Sequence, residues 1–352
     1  MAYQKLISIG ILGLYERSIT YNIVKEIFVK SGYEIVYNNS KSTIIILALN
    51  DKLVLIIGLT TKTIESILDL EIYFDILIQT SLKEDDYSNP SIKSIVSRAK
   101  YIIMNIDELY SSYILDENTE GLIITYGLNK KSTITASSFN ISNNVEFNLC
   151  IQREYNSIDG KTIEPMEVPI VLNLIGKNNI YHGLSAIACG LSCGITINQI
   201  QEALFDIKGK YRYLEKIYDK DYIIIDSNCS IPSEYNLIFE EIQNLKYKNI
   251  YVVNGIEIDQ GIYTIKKNLE VILNWKPILD IKKVFFYIDG REDLISDNID
   301  LLFTKNKLDY KVFFKLNKCI DSAISLLDKN DFLLLIGNEC LENSRELISQ
   351  LM

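Results

Sequence analysis

Apolar residues along the chain come in short runs of strand length that alternate with stretches of helical spacing. Lys5–Ile11 is the first run. In the segment Ser18–Lys30 that follows, Ile19, Ile23, Val24 and Ile27 fall on one helical face. Ile44–Leu49 and Leu53–Ile57 are β-branched runs, Thr63–Leu70 is amphipathic, and Ile76–Ile78 and Tyr101–Asn105 read as further short strands. This alternation predicts an α/β protein with a mostly parallel sheet and helices on both faces. Between Leu122 and Met166 the period changes, and Ser132–Ser138 and Glu146–Gln152 predict a small antiparallel addition. Asn179–Cys193 and Asn198–Leu204 read as consecutive helices separated by Gly194, a glycine placed where a helix stops. A second α/β unit starts near Tyr213. Its strands are Tyr222–Asp226, Ile250–Asn254, Lys283–Ile288, Tyr310–Phe314 and Phe332–Ile336, and its helices Pro232–Leu245, Gly261–Leu273 and Ile320–Leu327. The boundary falls near 210–216, giving domains 1–212 and 213–352.

Composition narrows the class. The chain has 352 residues, of which 48% are hydrophobic and 23% charged, enough for two domains with ordinary cores. A formal net charge of −10 argues against nucleic acid as a partner. No run of about 18 uncharged apolar residues occurs, so no membrane span is expected. The first residues lead directly into a strand without a signal-peptide plan. The six cysteines lack zinc-ribbon spacing and fit reduced thiols, so a cytoplasmic protein is expected.

Candidate chemistry rests on a few stretches. Gly176-Lys-Asn-Asn179-Ile-Tyr-His182 opens the first helix of the pair, which runs on to Gly194-Ile195. Ile200-Gln-Glu-Ala203-Leu204-Phe205 forms the second, and Gly209, Arg212 and Glu215 follow. Near the start, Gly10-Ile-Leu-Gly13-Leu-Tyr-Glu16-Arg17-Ser18-Ile-Thr20 lies between a strand and a helix, where backbone N–H groups and a helix terminus suit phosphate. Asp226 and Pro232 recur further on, at the start of the last domain.

In order and content these stretches resemble the Mur ligases, the UDP-N-acetylmuramyl-peptide synthetase-like enzymes that add amino acids to peptidoglycan precursors. The resemblance implies a P-loop-type central domain and a C-terminal Rossmann-like domain, with a cleft between 1–212 and 213–352. It implies that the amino-terminal domain binding the UDP-sugar is lacking. The family chemistry is formation of an acyl phosphate from a carboxylate and ATP, followed by attack of an amine, with Mg²⁺ and lysine stabilising phosphoryl charge. ATP and Mg²⁺ are therefore the implied cofactors. The implied nucleotide-side residues are Gly10, Gly13, Arg17, Ser18, Asn179, His182, Arg212 and Asp226. Ser18, Asp85 and Asp86 would be the metal-side residues. The family's metal-side lysine matches either Lys93 or Lys100. Asn105-Ile-Asp107-Glu108 resembles the family's N-A-D-D, and Tyr126-Gly127-Leu128 its Y-G-x.

Four positions depart from the pattern. Glu16 stands for the loop glycine, Gly58 for the Mg²⁺-binding glutamate, Asp86 for a histidine and Cys229 for another. A carboxylate about 4 Å from one phosphate charge costs roughly 1 kcal/mol in water and about 4 at an effective dielectric of 20. Glycine offers no side-chain oxygen to Mg²⁺. These changes predict poor binding of ATP·Mg²⁺ and a degenerate homologue that acts as a binding or regulatory protein. Its partner would be a nucleotide, a peptidoglycan precursor or a cell-wall synthesis protein. The alternative is an active ATP-dependent amide ligase with rebuilt ligands in Arg17, Ser18, Asp85, Asp86 and a lysine.

Overall fold

Strands β1 (Lys5–Leu12) and β4 (Lys52–Leu59) are almost wholly apolar, and each buries residues on both faces. They pair in parallel, and β1 pairs in parallel with β5 (Ile76–Gln79) on its other side. The series continues in parallel through β6 (Tyr101–Asn105) and β7 (Leu122–Tyr126). The computed structural model describes residues 5–14, 17–39, 43–209, 211–290 and 308–352. By its contacts the chain divides into two units, one of Met1–Asn140, Asn144–Asn173 and Lys177–Ile207, the other of Ile141–Asn143, Leu174–Gly176 and Lys208–Met352.

In the first unit, one edge of the sheet departs from the parallel expectation. β3 (Ile44–Leu49) runs antiparallel to β4, and β2 (Glu34–Asn39), which the apolar pattern does not reveal, runs antiparallel to β3. The reason is the two-residue connection at Asn50 and Asp51, too short for a crossover, with Asn50 at φ +54°. β2 escapes detection because nearly all of it is exposed. At the other end the predicted antiparallel addition is part of the same sheet. β8 (Ile134–Ile141), β9 (Val145–Ile151) and β12 (Met166–Leu172) extend it past β7, with β12 antiparallel to β9. A separate two-residue ribbon joins β10 (Tyr155–Asn156) to β11 (Thr162–Ile163).

Helices α1 (Arg17–Lys30), α2 (Thr61–Asp69), α3 (Pro90–Ser97), α4 (Asn179–Ser192) and α5 (Ile197–Asp206) complete this unit. Thr60 and Thr63 form a capping box for α2, and Thr196 and Gln199 one for α5. Helix α4 is buried along nearly its whole length. Its small residues permit this. A Cβ on Gly190 would stand 3.1 Å from Ile200 and 3.2 Å from Ile27, so α1 and α5 press directly on the backbone there. Gly194, at φ +81°, ends α4 with Gly194 N bonded to Leu191 O and Ile195 N to Gly190 O.

The second unit is a six-stranded sheet in the order β13-β14-β18-β15-β16-β17. β14 (Ile223–Asn228), β15 (Ile250–Glu257), β16 (Ile281–Asp289), β17 (Asp309–Phe313) and β18 (Phe332–Gly337) are parallel. The edge strand β13 (Glu215–Asp219), again unforeseen, is antiparallel to β14. Helices α6 (Pro232–Ile242), α7 (Ile262–Leu279), α8 (Leu316–Ile324) and α9 (Ser344–Leu351) accompany it. Ile224, Val253, Phe285, Leu333 and Leu335 from four strands pack with Cys319, Ile320 and Ala323 of α8. Among the described residues no helix is long and apolar enough to cross a membrane.

Candidate functional site

In open α/β sheets, ligand chemistry collects beyond the carboxyl ends of parallel strands. In the first unit that edge is the turn after β1 with the ends of β4 to β7. Gly10 is still inside β1, where a Cβ would come within 2.8 Å of Leu77 and 3.0 Å of Leu59, so it serves strand packing. Gly13 is more tightly held. Its Cβ would lie 1.8 Å from Thr80 Oγ1. The turn is tied down by four bonds. Gly13 N donates to Leu59 O at 3.3 Å, Leu14 N to Ser81 O at 3.0 Å, and Thr80 donates to Leu12 O from N at 2.8 Å and from Oγ1 at 3.0 Å. Two N–H groups at the start of the loop are thus committed to carbonyls of the sheet. Glu16 lies outside the described residues.

Arg17 heads α1. Its Nη1 donates to Leu14 O at 2.8 Å and reaches Gly13 O at 3.5 Å. Nε has no partner among the described residues and lies 3.4 Å from where a Gly58 Cβ would be. The same Cβ would meet Thr43 Oγ1 at 2.5 Å. Space for a larger residue at 58 is therefore filled by Thr43 and Arg17. Burial lowers the pKa of the Arg17 guanidinium from its ordinary value. Ser18 is half-buried on the first turn of the helix.

His182 is buried rather than on the surface. It is 4% exposed on α4, and its Nδ1 lies 3.0 Å from Thr20 Oγ1 on α1, itself fully buried. Burial drops its pKa to about 4, so the ring is neutral. Its Nε2 has no partner among the described residues. Asn179 is buried one turn earlier.

His182, Asn178 and Tyr181 line a cavity of about 340 Å³ at this edge, together with Thr80 and Ser81 after β5, Asn105, Asp107 and Glu108 at and after β6, and Tyr126 at the end of β7. Gln79 braces its floor: Oε1 accepts from Asn105 N at 2.9 Å, and its carbonyl from Tyr126 Oη at 2.8 Å. Asp107 accepts from Leu128 N, Asn129 N and Tyr181 Oη. Gly127 allows this approach, since a Cβ there would stand 2.8 Å from the Asp107 carboxylate. Glu108 accepts from Ser81 Oγ at 3.1 Å and Tyr87 Oη at 3.3 Å. Burial, then the Asp107 charge, pushes the Tyr181 phenol up to about 12.

The structure separates several sequence candidates from this edge. Asp85 and Asp86 sit on a short 3-10 turn, Glu84–Ser88, and do not line the cavity. Lys93 is half-buried on α3. Lys100 pairs with Asp75 at 2.7 Å, before β5 and β6 begin, hence at the opposite end of those strands. In the second unit, Arg212 is 4% exposed and fully engaged. Nε meets Asp226 Oδ2 at 2.9 Å, Nη1 donates to Asn338 O and Nη2 to Gly337 O. Burial raises the pKa of Asp226, against the pull of Arg212. Cys229 is buried, which raises its thiol pKa.

The cavity carboxylates were visible in the sequence only as a motif fragment. The usable signal was their place: two acids directly after an apolar parallel strand.

No family profile matches the sequence. UDP-N-acetylmuramoyl-L-alanyl-D-glutamate–2,6-diaminopimelate ligase of Oceanobacillus iheyensis is 27% identical over 245 residues, 68% of this chain and 46% of that protein. A solved structure of a ligase of that name superposes with a TM-score of 0.73 at 12% identity, covering 99% of this chain and 79% of the other. The chain is thus related to the Mur ligases over most of its length. A second Mur ligase structure, MurF of Thermotoga maritima in complex with ADP, gives a TM-score of 0.63 at 12% identity over 98% of this chain and 81% of its own. The chain spans about half the length of the curated relative it matches, 46%.

ATP with Mg²⁺ is the cofactor that Mur ligase relationship implies, and the residues present do not fit it. The start of the loop spends its N–H groups on the sheet, Gly58 has no room for an acid, and the described residues hold no group of three or more His, Cys, Asp or Glu able to bind a metal.

Proposed function

We propose that this Mur ligase homologue keeps the scaffold of an amide ligase but does not drive ligation with ATP, and acts as a binding protein in cell-wall precursor synthesis. The observation that carries this reading is Arg17. The loop cation that would face phosphate instead donates to the loop's own carbonyls, at Leu14 and Gly13. Its Nη1 must give up these contacts before it can turn to a phosphate. In the sequence, Glu16 adds a negative charge beside it. The preserved α4–α5 packing and Gly194 stop support selection for the fold rather than for the reaction.

Calorimetric titration with ATP, with and without Mg²⁺, tests the reading. Little or no heat is expected from the wild type, and a gain in affinity from the double variant Glu16→Gly, Arg17→Lys. Micromolar, Mg²⁺-dependent binding by the wild type would overturn it.

A further inference from the structure

We propose that the strand-end cavity of the first unit binds a small alkylammonium compound, with the Asp107 and Glu108 carboxylates and His182 Nε2 as the acceptors along its wall. This deepens the binding reading above by naming a ligand class. It rests on that reading only in leaving the cavity to something other than a nucleotide.

Charge is the first observation. The residues lining the cavity include two acids and no lysine or arginine. Neither acid forms an ion pair among the described residues. The donors on Asp107 are two backbone N–H groups and a phenol, and those on Glu108 a serine hydroxyl and a phenol. These bonds fix the carboxylates in place without cancelling their charge. The Tyr181 phenol stays protonated, and His182 stays neutral. An anion entering here meets two like charges and no opposite one.

His182 is the second, independent observation. A ring 4% exposed has one nitrogen engaged by Thr20 and the other, Nε2, without a partner among the described residues, at a residue that lines the cavity. Leaving a buried polar atom unbonded is costly, which favours a ligand able to bond it. When Nδ1 carries the proton toward Thr20 Oγ1, Nε2 is an acceptor. The cavity then presents two carboxylates and one imidazole nitrogen as acceptors, which suits the N–H donors of alkylammonium groups. A divalent metal is less well served, because Asp107, Glu108 and His182 share the cavity without forming a group that could hold a metal ion. The volume, about 340 Å³, suits a small molecule rather than a polymer. The Tyr126 and Tyr181 side chains supply wall for a short alkyl stem.

The test uses 1,4-diaminobutane as probe and 1,4-butanediol as its uncharged counterpart, titrated at low salt into the full chain. Saturable binding of the diamine is expected, none of the diol, and affinity should fall as NaCl rises. Glu108→Gln removes one charge while keeping an acceptor, and should weaken the diamine by about tenfold or more. Equal binding of diol and diamine would overturn the proposal. So would a wild type with no affinity for the diamine, displacement of the diamine by Mg²⁺ alone, or undiminished binding by Glu108→Gln. Nucleotide titration is a separate arm. ADP binding that strengthens in Glu108→Gln would mean that the cavity takes anions, and would overturn this inference. ATP·Mg²⁺ binding that leaves the diamine response intact would instead count against the preceding section alone.

Discussion

Arg17 and Arg212 do similar things at the strand ends of two different sheets. Each lies where the family resemblance places a nucleotide-side residue, and each donates to backbone carbonyls instead. They differ in their counter-charge. Arg212 has Asp226 at 2.9 Å, and both side chains are almost fully buried. Arg17 is half-buried with no carboxylate partner among the described residues. A buried ion pair locks both members, because removing one strands the other. An arginine resting only on carbonyls strands nothing charged when it goes. The first is part of the architecture of its unit. The second is held only by its own loop.

The sharpest way to break this contrast is Arg212→Ala. It should cost about 3–5 kcal/mol, since it leaves Asp226 buried and uncompensated. Urea denaturation measures it. Adding Asp226→Asn should recover much of the loss, and failure to recover would mean that the carbonyl contacts matter more than the pair.

His182 shows what a buried base does with neither carboxylate nor carbonyl: it gives up its proton. Its pKa is lowered from 6.5 to about 4. Between those values the unfolded chain binds a proton and the folded chain does not. The neutral ring therefore costs nothing above pH 6.5, and stability falls as pH drops toward 4, by roughly 3 kcal/mol in total. Comparing chemical denaturation of the wild type with His182→Gln across that range should show the extra slope only in the wild type. Parallel slopes would mean that the ring is protonated when folded.

The smallest effect is expected for Arg17→Met. Losing its bonds to Leu14 and Gly13 should cost only about 1 kcal/mol, with no charge left behind. A loss as large as that of Arg212→Ala would erase the distinction.

The fold was readable to the extent that burial writes a pattern. Parallel inner strands such as β1 and β4 are continuous apolar runs, and α4 and α5 are marked by Gly194 and Thr196. The edge strands β2 and β13 escaped because half-exposed edges carry no such run. The loop after β1 could be located by its glycines, but its state could not. That Gly13 abuts Thr80, and that Arg17 curls toward Gly58, depends on residues more than 40 positions away in sequence. The cavity was harder still, because it draws single residues from β5, β6, β7 and α4 that share no local spacing.

The ties at Gly13 and Leu14 also set a population. For the loop to offer those two N–H groups to an anion, their bonds to Leu59 and Ser81 must open first. At about 1 kcal/mol each, the open form would make up only ~3% of molecules. A ligand that binds only that form pays for it as a roughly thirtyfold weaker apparent affinity, before any charge is counted.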